Sequence, residues 1–591
     1  MKTKQIASII VTLLMLLWSP FTLNEACAQT SPSGIVRIIP RAKHLSVEYR
    51  VDKKWREVMA IRTSSLIPKR KNPEVVRVEY DMCVGKKLKC SNQYRQQDYK
   101  SADGKSSLSV RVYNDGVAFK AIEPNKALVS VPFKNSWLMR WADSYEDFFV
   151  LNRQHKTGER LAYPALFEYN DSIFALLSES GLDRTNAATS IFRMEKKNDF
   201  ELRPDGTEQG GWQTLIIGSL KDIVESTLIT DNSAPAAWEC HGVPGVASWI
   251  YWANNHGSND FSIIKKYVDM AVQMHLPYVL IDAEWDEMDK IPANNGKTIE
   301  DAVRYAVDNG VKPMIWYNSS VGWINGAPGP KFRLNKPEDR EREFAWCERM
   351  GIKGVKIDFF SGDNNMNISY MADLLECAAK HNLLVNFHGV TTMRGWQRTY
   401  PNLISSEAVY GAEWYNNVPT FTAKAAKHNA TIPFTRNVIG SMDYTPCAFS
   451  DSQHPHITTH AHELALTALY ESGIQHLADS PESLLAQPLE VRQYLSSLPT
   501  VWDETQFISG YPGESVVMAR RSGSTWYVAG INGTDNVKTL SINLPVKNAK
   551  ALMFEDGNPS KNPWKITRTD NLDINAITCQ PRGGFVMVIK Q

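Results

Sequence analysis

The sequence predicts a multidomain chain built from an N-terminal β-sandwich, a central (β/α)8 TIM barrel and a small C-terminal antiparallel β-domain. Three observations carry this. From about residue 35 to 235, short alternating runs such as 107–113, 116–122 and 173–178 are separated by turn residues, the period-two pattern of packed antiparallel sheets. After Ala234-Pro235-Ala236-Ala237-Trp238 the pattern changes to buried apolar runs alternating with amphipathic stretches, as βα units require. From Phe507 it returns to strands joined by turns such as Asn532-Gly533-Thr534 and Glu555-Asp556-Gly557. The expected domains are therefore 29–235, 236–503 and 504–591.

Within the middle domain the candidate strands are 247–253, 278–285, 312–318, 354–360, 383–389, 404–411, a weaker run at 438–442, and 473–478. Eight is the number a closed parallel barrel needs. The stretches 261–274, 299–309, 340–350 and 369–380 carry apolar residues at three and four spacing and read as the intervening helices.

A chain of 591 residues is long enough for a large core, and its 22% charged and 43% hydrophobic residues are ordinary for a globular protein. The net charge of +1 hides no long run of one sign, so neither nucleic acid nor a membrane surface is an implied partner. Seventeen Trp and 22 Tyr are generous, and aromatic faces stack on sugar rings, although a large core accounts for most of them. Lys2 and Lys4 precede an apolar run at 6–18 that ends in Ala26-Cys27-Ala28, which predicts a signal peptide at 1–28, cleaved after Ala28, and export to the periplasm. A lipid anchor on Cys27 is disfavoured by Asn24, and no later stretch reaches ~18 uninterrupted apolar residues. Of the eight cysteines, Cys83 and Cys90 are the only pair close in sequence and could bridge in an oxidising compartment. Cys347 and Cys377 read as small buried apolar residues, and no Cys/His spacing suggests zinc.

In such a barrel, polar residues just after an apolar run face the active site. The second strand ends in Asp282, Glu284 and Asp286, the third in Trp316 and Asn318, the fourth in Lys356 and Asp358, the fifth in Asn386, His388 and Gly389, and the sixth in Glu407 with Glu413 beyond. Any one of these acids is equally well a solvated loop residue; the set converging on one mouth favours chemistry. With no nucleotide loop, zinc motif or serine elbow, paired carboxylates point to glycosidic cleavage, which needs one to protonate the leaving oxygen and another to attack the anomeric carbon or activate water. Lys356 lies two residues before Asp358 and shares its strand face. Its ammonium favours the ionised carboxylate that a nucleophile must be, or is simply a neutralising partner.

The runs Val355-Lys-Ile-Asp-Phe-Phe, Val385-Asn-Phe-His-Gly, Gln397-Arg-Thr-Tyr-Pro-Asn, Glu407-x5-Glu413 and Met442-Asp-Tyr-Thr-Pro, in that order, resemble the barrel of glycoside hydrolase family 97. That resemblance implies the same three-domain plan. It also distinguishes two branches, because similar inverting proteins carry a Glu after the fifth-strand His and lack the fourth-strand Asp. Here Gly389 and Asp358 stand at those places, so the chain resembles the retaining branch. By that match Asp358 is the nucleophile and Glu413 the general acid/base, with carboxyls about 5–5.5 Å apart. The resemblance further implies a Ca2+ ion held by Glu179, Glu407 and Glu413, with one ligand lost at Gly389 and His388, Asn386 or water standing in. Asp282, Trp316, Lys356 and His388 are the expected substrate contacts; Trp285, Asn318, Asp443 and His476 are equally explained as packing at the barrel mouth. The activity implied is an exo-acting α-galactosidase on an oligosaccharide or glycoside. A β-L-arabinopyranosidase or α-glucosidase of the same family is the alternative, and a non-catalytic carbohydrate-binding protein is disfavoured by the presence of both carboxylates.

Overall fold

A computed structural model describes residues 28–590 except 64–65, 70–72, 142–154, 171, 207–209, 418, 452–454, 545, 547–548 and 559. The expected signal peptide falls almost entirely outside the described residues. No helix among those described is long and apolar enough to cross a membrane.

From Gln29–Thr30 to Trp212–Gly218 the strands pair antiparallel into one continuous 16-stranded sheet that closes over its own core. Period-two alternation decides what each face does. Ala165 and Phe167, Leu177, and Leu215 and Ile217 point into the sandwich core with Val47, Val110 and Phe200. Their neighbours Leu166, Leu176 and Ile216 point the other way, into a cluster continuous with the barrel.

The barrel strands are β1 (Gly245–Trp249), β2 (Tyr278–Ile281), β3 (Lys312–Asn318), β4 (Gly354–Asp358), β5 (Leu384–Phe387), β6 (Leu403–Ser406) and β7 (Ile474–Leu477). They pair parallel in the order β6-β5-β4-β3-β2-β1-β7. The helices between them start on side-chain caps: α1 (Phe261–Gln273) on Asp260, which accepts from the Ser262 and Ile263 amides, and α2 (Ile299–Asp308) on a Thr298/Asp301 capping box. Next, α3 (Pro337–Met350) opens on proline and ends at Gly351, while α4 (Asn365–Lys380) opens on Asn364, whose side chain accepts from the Asn367 amide.

The expected strand at 438–442 is not formed. Arg436–Val438 is a 3-10 turn, and the run that follows meets its neighbours by single bonds, Asp443 N to Ser406 O at 3.2 Å and Met442 N to Glu471 O at 2.9 Å. The cause is Arg436. Its buried guanidinium donates to the carbonyls of Ser406 and Glu407 on one side and of Gly440 and Ser441 on the other, at 2.9–3.2 Å, taking acceptors that a strand ladder would have used. Closure between β6 and β7 is thus side-chain mediated, and Val438 and Met442 are buried as packing residues.

C-terminal strands from Glu504–Tyr511 to Gly584–Lys590 form a six-stranded antiparallel sheet plus a two-stranded one. Val516, Met518, Phe554 and Val586 join the barrel cluster, while Val517, Phe585 and Met587 build a separate core. One more expectation changes here. Cys83 is disulfide-bonded to Cys240, with Cα atoms 6.0 Å apart across 157 residues, and Cys90 is a buried free thiol that donates to Lys87 O. Pairing follows proximity in space, and the bridge ties the sandwich to the segment leading into β1. Cys240→Ser is expected to cost about 2–5 kcal/mol, read as a lower unfolding midpoint under non-reducing conditions.

Candidate active site

Asp358 closes β4 and is 6% exposed. Its Oδ2 accepts from Trp316 Nε1 at 3.0 Å and lies 3.9 Å from Lys356 Nζ, and its Oδ1 accepts from the Phe359 amide at 2.7 Å. Phe359 itself adopts φ +63°, a left-handed conformation costly for a bulky residue. Glu284, Ser320 and Ala408, near the ends of β2, β3 and β6, also have positive φ, so backbone strain gathers at the barrel mouth. Gly389 has φ +50°, and a Cβ placed there would stand 2.9 Å from Asp358 Oδ1 and 2.8 Å from the Phe359 amide. A side chain at 389 and the Asp358 carboxylate therefore compete for one space.

Around this pair the expected substrate residues form two buried networks. Asp282 Oδ2 accepts from Lys356 Nζ at 3.0 Å and from Trp249 Nε1 at 2.7 Å. Trp316, 1% exposed, offers Asp358 its ring N–H rather than an open face. His388 lies between two carboxylates, with Nε2 2.7 Å from Asp443 Oδ2 and Nδ1 3.5 Å from Glu407 Oε1. The same Asp443 oxygen meets Asn386 Nδ2 at 2.6 Å and His476 Nδ1 at 2.7 Å. Glu407 Oε2 accepts from the Gly389 amide at 2.8 Å.

These contacts split the acids into types. Burial raises the Asp358 carboxyl, opposed by Lys356 and His388. Burial would lower the Lys356 ammonium, but Asp282, then Asp358, Glu413 and Asp443, hold it high and charged. Burial also works against the His388 cation, yet Glu407 and Asp443 keep it protonated; in return, and against their own burial, the histidines hold Asp443 and Glu407 ionised. Glu413, half-buried beyond β6, is pushed up to about 8, first by desolvation and then by the charge of Glu407. A proton-bearing Glu413 beside cation-flanked Asp358 is the acid-plus-nucleophile division that glycosidic cleavage needs.

Sequence profiles place this geometry in a family. Residues 30–235 match the glycosyl-hydrolase 97 N-terminal domain, 245–409 the glycoside hydrolase 97 catalytic domain, and 501–590 the C-terminal domain, described as one of oligomerisation. A probable retaining alpha-galactosidase of Streptomyces bingchenggensis is 36% identical over 487 residues, 77% of this chain and 73% of that one. The chain belongs to glycoside hydrolase family 97. A retaining alpha-galactosidase of Bacteroides thetaiotaomicron is 24% identical over 82% of this chain and 83% of its own length. Among solved structures, a beta-arabinopyranosidase superposes with a TM-score of 0.83 at 25% identity, covering 95% and 99% of the two chains. A family 97 enzyme of Pseudoalteromonas sp. strain K8 bound to acarbose shares the fold, with a TM-score of 0.78 at 20% identity and the same coverage.

In this family 97 glycoside hydrolase, two of the expected metal ligands, Glu179 and Glu407, are engaged by cationic side chains. Glu179, fully buried on a sandwich strand, has Oε2 3.0 Å from Arg394 Nε and Oε1 accepting from Ser190 Oγ at 2.7 Å. Arg394 also pairs with Asp363. Among the described residues, Glu179, Glu407 and Glu413 are not a set whose donor atoms all lie within 4.8 Å of one another. Arg394, Trp249 and Asp363 escaped the sequence reading. Only the position of Arg394, six residues past His388, marked it as a mouth residue.

Proposed function

We propose that the protein is an exported, retaining exo-α-galactosidase, in which Asp358 is the nucleophile and Glu413 the general acid/base. The space at Gly389 carries the reading: it is filled by the Asp358 carboxylate, so a catalytic base has no room on β5 and the acid available on that face is a nucleophile. Asp358 attacks the anomeric carbon while Glu413 gives its proton to the departing oxygen. Glu413 then takes a proton from water, which attacks the same carbon, breaks the bond to Asp358 and releases the sugar with its configuration retained. Asp282 and Lys356 offer a charged pair to sugar hydroxyls. Trp323, 53% exposed with its ring 4.9 Å from Phe359, gives a stacking face beside the nucleophile. The two α-galactosidase relatives support the sugar assignment, while the beta-arabinopyranosidase neighbour fits the alternative, a sugar lacking the exocyclic CH2OH. Proton NMR of an aryl α-galactoside digest is expected to show the α-anomer first; initial β-anomer, or no cleavage with rapid cleavage of an α-glucoside or β-L-arabinopyranoside, overturns the respective part.

Calcium at Glu179, Glu407 and Glu413 does not fit this arrangement. A hard dication takes six to eight oxygens, whereas Glu179 is held by a guanidinium and Glu407 by His388 and the Gly389 amide. No catalytic step is assigned to it. Export is supported by the leader-like residues 1–28 and by the Cys83–Cys240 disulfide, which an oxidising compartment sustains.

The acid role sets the pH profile. Glu413 works protonated, so kcat/KM of the wild type is expected to fall as pH rises through about 8. Glu413→Gln should lose that limb and keep its first step only for phenols that leave without a proton. An alkaline limb unchanged in Glu413→Gln assigns it to another group.

A further inference from the structure

On the outer wall of the barrel, α3 and α4 bring together a group of side chains that the hydrolytic reaction does not use. Glu341 and Glu348 lie seven residues apart on one face of α3. Cys377 and His381 lie four apart at the end of α4, where His381 is the C-cap. Glu341, Cys377 and His381 each place a donor atom within 4.8 Å of the other two. Cys377 Sγ donates to Glu341 Oε2 at 3.4 Å, and Glu341 Oε1 is 3.0 Å from His381 Nε2. The other ring nitrogen, Nδ1, is 3.0 Å from Glu348 Oε2, and Glu348 Oε1 accepts from Asn382 Nδ2 at 3.1 Å.

We propose that Glu341, Cys377 and His381 form a binding site for Zn2+ or a similar thiophilic divalent cation, with Glu348 as the carboxylate that orients His381. Spacing is the first argument. Tetrahedral zinc, with bonds of about 2.0 Å to oxygen and nitrogen and about 2.3 Å to sulfur, separates its ligands by about 3.3 Å for N···O and about 3.5 Å for S···O. The gaps of 3.0 Å from His381 Nε2 to Glu341 Oε1 and 3.4 Å from Cys377 Sγ to Glu341 Oε2 approach those lengths at the two carboxylate oxygens, and one ligand atom from each residue lies within 4.8 Å of the other two. Donor chemistry is the second. A plain ion pair between helices needs no thiol, and thiolate with imidazole and one carboxylate selects zinc over the hard, oxygen-seeking calcium and magnesium. The outer shell is the third: a metal-bound imidazole characteristically gives its second N–H to a carboxylate, which fixes the tautomer, and Glu348, itself held by Asn382, stands at that place.

Access is one-sided. The Glu341 side chain is 53% exposed, whereas His381 is 11% and Cys377 7% exposed, so a cation and a water in the fourth position enter past Glu341. On loading, Cys377 releases its proton to solvent and its thiolate replaces the S–H···O bond to Glu341. The consequence is mechanical. Strand β4, which ends in Asp358, runs from α3 to α4, so the cation would clip together the two helices flanking the nucleophile strand.

The test is a titration of the full chain with Co2+ after dialysis against a chelator. The expected result is one equivalent bound with a thiolate-to-cobalt charge-transfer band, which Zn2+ abolishes by displacement. Cys377→Ser should lose the band, His381→Ala should weaken binding by about 100-fold or more, and Glu348→Gln by roughly 10-fold, the range for an outer-shell carboxylate. Each variant should keep wild-type kcat/KM when metal-free, the control for folding. The other described free thiols, Cys90, Cys347, Cys447 and Cys579, are buried, and none of them belongs to this cluster. No thiolate band in the wild type, or a band that survives in Cys377→Ser, overturns the proposal.

Discussion

Asp358→Gly is expected to lower turnover of an aryl α-galactoside by ~10^4-fold or more, the scale of removing a nucleophile, and azide is expected to restore it while forming β-galactosyl azide. Lys356 keeps Asp282 at 3.0 Å, so no buried ammonium is orphaned, and Trp316 loses only one acceptor. Burial raises the Asp358 carboxyl, so its charge is already a strain on the fold, and removing it should leave the unfolding midpoint close to the wild type. Lost activity then reports chemistry and not collapse. The vacated volume lies against Gly389, on the face from which the carboxylate attacks, and a small anion entering there inverts the anomeric centre once. Rescue by azide with an α-configured product would place the attack elsewhere. A folded variant with wild-type turnover would remove Asp358 from the mechanism.

The parts legible in the sequence were those written as local pattern. The first six strand positions were readable because an apolar run followed by a polar residue is how a parallel barrel strand and its mouth residue appear. Asp282, Asp358 and His388 were found that way. The apolar pattern extends β4 two residues past its end at Asp358, since nothing in Asp358-Phe359-Phe360 announces the left-handed turn at Phe359. The run at 438–442 was read as a strand for its apolar residues, while the deciding group was Arg436, whose carbonyl acceptors lie on two separate segments. Trp316 was recognisable as a mouth residue, but its hydrogen bond to the nucleophile depends on the β3–β4 register that sets it beside Lys356. Long-range pairings were invisible for the same reason. Asp443 collects His388 from 55 residues away and His476 from 33, and Cys83 finds Cys240 rather than the nearer Cys90.

Arg394→Met is expected to destabilise the protein by on the order of 3–5 kcal/mol, because it strips the cation from two buried carboxylates at once. Arg394 has no exposed surface, and it joins Glu179 of the sandwich to Asp363, five residues beyond the nucleophile. Asp363 is tied to the sandwich again through its carbonyl, which accepts from Thr189 Oγ1 at 2.9 Å. Even with the guanidinium present, burial raises the Glu179 carboxyl to about 7. A carboxyl raised by folding contributes stability below its ordinary range, and that contribution is lost as pH rises through the folded value. Without Arg394 the folded value moves higher, so Glu179 stays protonated past the wild-type value, and the variant's deficit in unfolding midpoint should stay level up to about pH 7 and widen above it. Activity should fall with it, as Asp363 loosens the loop after Asp358. The same guanidinium predicts how the wild type responds to metal removal: with a fixed cation already on Glu179, kcat/KM should survive exhaustive chelation. A loss restored by Ca2+ alone would overturn that expectation.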